Sequence, residues 1–211
     1  MIKTFRFDNS SEFSSNSYIV SDNSGNCVVI DPGSTSDRII EYIKSNCKSC
    51  KAIFLTHGHW DHIRGVKKIL NFDQSIKVYV NQEDQVMLEN SRLNCSIVID
   101  RNSGTINSET IFYENDDILN ISESLIFKII ETPFHTKGSV CILFKKENAL
   151  FTGDSLFKGS IGRTDLPHNA ARKQKESLQI IKSLDANLKI FPGHGDETTL
   201  ANELKNNIYL K

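Results

Sequence analysis

The stretch Thr56-His57-Gly58-His59-Trp60-Asp61-His62 follows the apolar run Ile53-Phe54-Leu55 and sets three histidines and an aspartate within residues 57–62. Half of the chain's 6 histidines stand there. Imidazole nitrogen and carboxylate oxygen are the donors that borderline divalent cations such as zinc select. A polar loop with satisfied core histidines would not need an acid between the second and third of them. The apolar run is strand-like, so the cluster belongs to a loop at a strand end.

Three more segments have the same form. Glu131-Thr132-Pro133-Phe134-His135, Phe151-Thr152-Gly153-Asp154 and Phe191-Pro192-Gly193-His194 each place a candidate ligand directly after an apolar run. Strands of a sheet deliver their end loops to a common point, which is how ligands distant in sequence converge. Glycines beside Asp154 and on both sides of His194 allow tight turns there. Each segment alone is an ordinary turn. Together with the first cluster they define a ligand set of His57, His59, Asp61, His62, His135, Asp154 and His194.

Apolar runs predict strands at Ile2 to Phe7, Tyr18 to Val20, Cys27 to Ile30, Ala52 to Leu55, Ile76 to Val80, Leu125 to Ile130, Val140 to Phe144, Ala149 to Phe151 and Leu188 to Phe191. Helical periods fall between them. Asp37 opens one carrying Ile39, Ile40 and Ile43, a second carries Ile63, Val66, Ile69 and Leu70, and a third runs from about Asn169, a cap, to the turn near Asp185. Strands interleaved with helices indicate a layered α/β or α+β domain. The stretch from about Glu89 to Glu109 is polar and weakly periodic, the pattern of a surface loop or a lid.

At 211 residues and 38% hydrophobic composition the chain has material for one well-filled core, and one domain over residues 1–211 is expected. A net charge of -1 supplies no global field for nucleic acid or an anionic membrane. The N-terminal Met1-Ile2-Lys3-Thr4-Phe5-Arg6-Phe7 has no long apolar stretch, so neither a secretory signal nor a membrane span is expected. The 5 cysteines form an odd, scattered set that suits a reducing compartment. A soluble, cytoplasmic protein is the expectation, with oligomeric state left open. Cys47-Lys48-Ser49-Cys50 follows a helical stretch rather than opening one, and reads as chance spacing.

Taken together, these segments resemble the metallo-β-lactamase superfamily, whose HxHxDH motif is His57-Gly58-His59-Trp60-Asp61-His62. The likeness runs from Asp31-Pro32-Gly33, a turn typical of the family, to His194. It implies a four-layer αββα sandwich of two similar halves with a binuclear metal site at one edge of the sheets. By the family pattern His57, His59 and His135 hold one metal, Asp61, His62 and His194 hold the other, and Asp154 bridges them. Two divalent ions per chain are implied, with zinc expected and iron or a mixed pair as alternatives. His168, outside the pattern, is assigned a surface or turn role.

The segment from Gly153 to Asp165, GDSLFKGSIGRTD, is similar to that of short, single-domain type II glyoxalases, which cleave hydroxyacyl-glutathione thioesters. Pro192 to Leu200 points the same way. Larger relatives carry a C-terminal helical domain that helps bind glutathione, and the residues after His194 are too few for one, so recognition falls to the core. Lys158 and Arg163 are the expected anion-binding residues, with a local pairing of Arg163 to Asp165 as the alternative. The resemblance implies a small-molecule thioester substrate attacked by a bridging hydroxide, with Asp61 orienting it as the catalytic carboxylate. A thiol of pKa about 8.5 leaves without a strong general acid.

Two departures from the family stand out. Its usual Gly-His-Thr-Pro-Gly reads Phe134-His135-Thr136-Lys137-Gly138, which suggests a pocket wall reshaped by Phe134. Asn206-Asn207 replaces Asn-Pro at the last helix boundary. Persulfide dioxygenases with a single iron, lactonases, and a metal-stabilised scaffold like the diiron half of flavodiiron proteins remain competing readings. True β-lactamases are disfavoured by Asp154 and the expected lack of a signal peptide, and nucleases by the lack of a basic surface.

Overall fold

The structure, a computed structural model, describes residues 1–6 and 15–211. Phe7, the last residue of the first expected strand, lies outside the described residues.

The N-terminal half runs β1 (Ile2–Phe5), β2 (Ser17–Ser21), β3 (Asn26–Ile30), α1 (Arg38–Asn46), β4 (Ser49–Phe54), α2 (Trp60–Ile63), α3 (Val66–Phe72), β5 (Lys77–Asn81), α4 (Gln85–Leu88), α5 (Ser96–Ile99) and β6 (Thr110–Tyr113). The C-terminal half follows with β7 (Ile118–Asn120), β8 (Ile126–Glu131), β9 (Val140–Phe144), β10 (Ala149–Gly153), α6 (Gln174–Lys182), β11 (Lys189–Pro192), β12 (Thr198–Thr199) and α7 (Leu200–Asn206). Each half contributes one sheet, in the orders β1-β2-β3-β4-β5-β6 and β12-β11-β10-β9-β8-β7.

Side-chain alternation explains why these strands stack as they do. Along β9, Val140, Ile142 and Phe144 face the other sheet, while Cys141 and Leu143 face α6 and α7. On β3, Val28 and Ile30 enter the same inter-sheet layer and Cys27 and Val29 meet the helices of the first half. A strand apolar on both faces must be covered on both, so the sheets pack on each other and helices close the outer faces. The inter-sheet layer is aromatic, with Tyr18, Phe54, Phe127, Phe144, Phe151 and Phe191 together. The result is a four-layer αββα sandwich of two six-stranded sheets.

Three expected boundaries shift for local reasons. The helix after the histidine cluster begins inside it, at Trp60, and breaks at Gly65, whose N–H donates to the Pro32 carbonyl at 2.7 Å. A side chain at Gly65 would lie 2.4 Å from the Ser34 carbonyl, so only glycine permits that approach. Asn169 accepts from the Ala171 N–H at 3.1 Å and caps a 3-10 turn over Ala171–Lys173, with α6 starting only at Gln174. At the last boundary, Asn207 ends α7 and its amide reaches the Ser160 carbonyl at 3.1 Å.

Cys47 caps the end of α1 and Cys50 lies in β4 beside Cys27; all three are free thiols. Among the described residues no helix is long and apolar enough to cross a membrane.

Candidate metal centre

β8, β10 and β11 point the same way, and β4 ends at the same edge of the sandwich. The segments that follow these four strands carry all seven expected ligands, with Asp61 and His62 in the short helix α2. Backbone bonds pin the halves together there: Val140 N–H donates to the Thr56 carbonyl at 2.9 Å, and Asn16 N–H to that of Gly193 at 2.7 Å.

The donor atoms converge. His57, His59 and His135 form one group, His57, His62 and Asp154 a second, and Asp61, His62 and His194 a third, each with ligand atoms within 4.8 Å of one another. Asp154 sits at the junction. Its Oδ1 is 3.2 Å from His62 Nε2, and its Oδ2 is 3.3 Å from His135 Nε2 and 3.7 Å from His194 Nε2. Asp61 Oδ2 lies 3.1 Å from His194 Nε2.

The outward ring nitrogens are held by acceptors, which fixes what faces inward. His62 Nδ1 is 2.9 Å from Asp31 Oδ2 and His135 Nδ1 is 2.8 Å from the Arg163 carbonyl, so both nitrogens donate and leave Nε2 to the centre. Thr56 gives its hydroxyl proton to Asp31 at 2.6 Å, and its oxygen then accepts from His57 Nδ1 at 3.2 Å. Asp31, with the Thr56 N–H also on Oδ1 at 2.8 Å, thus orients two ligands.

The inward atoms have no protein solution of their own. His57 Nε2 is buried without a hydrogen-bond partner among the described residues, and Asp154 Oδ1 has only the ligand nitrogen His62 Nε2 facing it, at 3.2 Å. His59 Nδ1 and His135 Nε2 stand 2.9 Å apart, two nitrogens converging on one point. Buried polar atoms left unpaired are costly, and a cation in their midst removes that cost. Five imidazoles with two carboxylates suit zinc or iron, and the seven residues fit a dinuclear metal site.

The local charges follow. Burial pushes His57 well below the usual histidine range and His59 down to about 4, with the neighbouring imidazoles adding to it. Burial also opposes charge on His62 and His194, but is outweighed by Asp154 for both, so both are raised. Asp61 and Asp154 are lowered despite their burial because these imidazoles face them.

The centre forms the floor of a cavity of about 490 Å3. Its walls include Arg92, Cys95, Val98 and Ile99 from the stretch with the lid-like pattern, together with Phe157, Ile161, Arg163 and Leu166. Arg163 is there, but it pairs bidentately with Asp165 at 2.5 and 2.7 Å. Lys158 lies outside the lining and meets Asp196 at 3.2 Å. Phe134 is fully buried in the core beneath α6 and lines no part of the cavity, so the expected reshaping of the wall does not occur. His168 adopts a turn conformation at φ 63° and bonds the Glu83 carbonyl at 2.8 Å.

Asp84 binds two of the ligand-bearing loops from behind, which the sequence did not announce. It is wholly buried and accepts from the Gly58 N–H at 3.0 Å, the Gly138 N–H at 2.8 Å and the Thr136 hydroxyl at 2.7 Å. It stands in a polar run, Asn81-Gln82-Glu83-Asp84, with no periodicity to mark it.

A sequence profile described as "Metallo-beta-lactamase superfamily" matches residues 11–194. The hydroxyacylglutathione hydrolase GloC of Haemophilus influenzae is 29% identical over 200 residues, 94% of this chain and 93% of that protein. A solved structure described as the BLEG-1 B3 metallo-beta-lactamase superposes with a TM-score of 0.91 at 31% identity, covering 100% of both chains. TTHA1623, solved in a di-iron-bound form, superposes with a TM-score of 0.78 at 28% identity, over 93% of this chain and 95% of that one.

Proposed function

Because the chain belongs to the metallo-β-lactamase superfamily, a family largely of metal-dependent hydrolases, we infer that it is a cytoplasmic thioesterase acting on an acyl derivative of a small thiol. His57, His59 and His135 would hold one divalent ion, Asp61, His62 and His194 a second, and Asp154 would bridge them, with zinc the preferred metal. When bound, such ions supply a hydroxide nucleophile at neutral pH and polarise an acyl carbonyl.

The composition of the cavity wall carries the choice of substrate. Among the described residues that line it, Asp61, Asp154, His59, His135 and His194 are the only acids and imidazoles, and all five belong to the ligand set. No carboxylic acid or imidazole outside the ligand set is left to protonate a leaving group, and the Cys95 thiol, pushed up by burial, is a weak donor. An amine could not depart from such a site without help, whereas a thiolate can, because a thiol ionises near pH 8.5. Hydrolysis joins the water oxygen to the carbonyl carbon and breaks the C–S bond, whose electron pair leaves on sulfur. Asp61, kept ionised by His62 and His194, accepts the water's hydrogen bond and aims its oxygen. The similarity to GloC supports this reading.

A panel of lactoylglutathione, a δ-lactone, a β-lactam and a glutathione persulfide, run with an oxygen electrode, tests it. Thioester cleavage without oxygen uptake is expected. Turnover confined to the lactone or the β-lactam, or oxygen consumed with the persulfide, would overturn the assignment.

A further inference from the structure

Among the cations near the centre, Arg92 differs from the two that the sequence singles out. Lys158 and Arg163 are occupied by Asp196 and Asp165. Arg92 lines the cavity, and among the described residues its guanidinium has neither ion pair nor hydrogen bond. A guanidinium is a planar fork that can take a carboxylate with two hydrogen bonds.

The wall beside it is apolar in an uncommon way. α5 is a single turn made of Ser96-Ile97-Val98-Ile99, and Val98, which faces the cavity, is 76% exposed. Ile161 and Leu166 line the same cavity. An aliphatic side chain left open to water at the mouth of a site gains only when a ligand covers it. A lactoyl group, short and hydroxylated, would leave this surface wet.

Resting on the thioesterase reading, we propose that the substrate is a thioester with an aliphatic acyl chain, seated against the cavity's aliphatic residues Val98, Ile99, Ile161 and Leu166. It also carries a carboxylate that Arg92 binds. The carboxylate is either on the thiol or at the far end of the acyl chain, and the two are separable by experiment.

Two assays on the metal-loaded protein decide the matter. In the first, kcat/KM is compared for lactoyl and hexanoyl thioesters of neutral N-acetylcysteamine, the hexanoyl thioester of 3-mercaptopropionate, and the adipoyl thioester of N-acetylcysteamine. Hexanoyl should exceed lactoyl by roughly tenfold or more, at the usual gain for each buried methylene. Val98→Asp should erase that preference. One of the two carboxylated substrates should exceed the neutral hexanoyl ester, which tells where the carboxylate sits, and Arg92→Met should remove the advantage.

In the second, calorimetry measures binding of the uncleavable thioethers S-hexyl-3-mercaptopropionate, S-(5-carboxypentyl)-N-acetylcysteamine and S-hexyl-N-acetylcysteamine. Arg92→Met should weaken one of the carboxylated thioethers by about tenfold and leave the neutral one unchanged, as expected for loss of a charge-assisted bond. A protein that cleaves no thioester yet binds these thioethers in an Arg92-dependent way would sink the thioesterase reading alone. A lactoyl preference, or Arg92→Met binding both carboxylated thioethers as tightly as the parent, overturns this proposal.

Discussion

Asp84 accepts the Gly58 N–H at 3.0 Å, and so holds the peptide between two ligand histidines from behind. Its other oxygen takes the Gly138 N–H at 2.8 Å, on the loop that carries His135. One buried carboxylate therefore fixes ligand loops from both halves of the molecule without touching a ligand side chain. Asp84→Asn should lower metal affinity about 10- to 100-fold, the usual cost of losing an outer partner. Competition with a chelator measures it, and circular dichroism should show the fold intact. Unchanged affinity would mean that the loops hold themselves.

Gly193 packs directly against the centre. A methyl group there would fall 2.3 Å from Asp154 Oδ1 and 2.7 Å from His62 Cε1, so Asp154 would have to move. Gly193→Ala should therefore retain at most one tightly bound metal, because the displaced carboxylate is the one placed between the two groups. Asp154→Ala should do the same and abolish turnover. Metal content after gel filtration settles both, and two retained ions in either variant would refute the bridging role of Asp154.

Metal loading should release protons at pH 7. In the metal-free protein, burial disfavours charge on His62, but Asp154, Asp31 and Asp61 outweigh it and raise its pKa well above 6.5. It therefore holds a proton at pH 7 that ligation must displace. About one proton or more per chain should be released, falling as pH rises through that raised value. The same shift stabilises the metal-free fold below pH 6.5, a contribution lost as pH climbs through the folded-state pKa. His59, lowered to about 4, holds no proton to release near neutrality. Calorimetry in buffers of different ionisation enthalpy counts the protons, and zero release at pH 7 would contradict the charge arrangement.

Much of this was legible in the sequence because ligand chemistry and strand alternation leave strong local marks. His57 to His62, and the turns bearing His135, Asp154 and His194, each stand directly after an apolar run, and each run is a buried strand. The strands that escaped are edges. β7 is open to water, with Ile118 52% exposed, β12 has two residues, and β6 ends its sheet, so none needs a two-sided apolar pattern. Asp84 escaped because its role depends on amides at residues 58 and 138, and no periodicity encodes a meeting that remote. Arg163 and Lys158 stood out because they lie in the segment after Asp154 that resembles the type II glyoxalases. Only the folded arrangement shows Asp165 and Asp196 already holding them, and Arg92 facing the cavity.

The proposed chemistry needs two metals held by seven side chains to cleave a thioester. Titrating metal-free protein with zinc while following thioester hydrolysis tests it most directly. Activity that climbs and levels off at two ions per chain is the predicted result; full activity at one ion, or none at two, would contradict it.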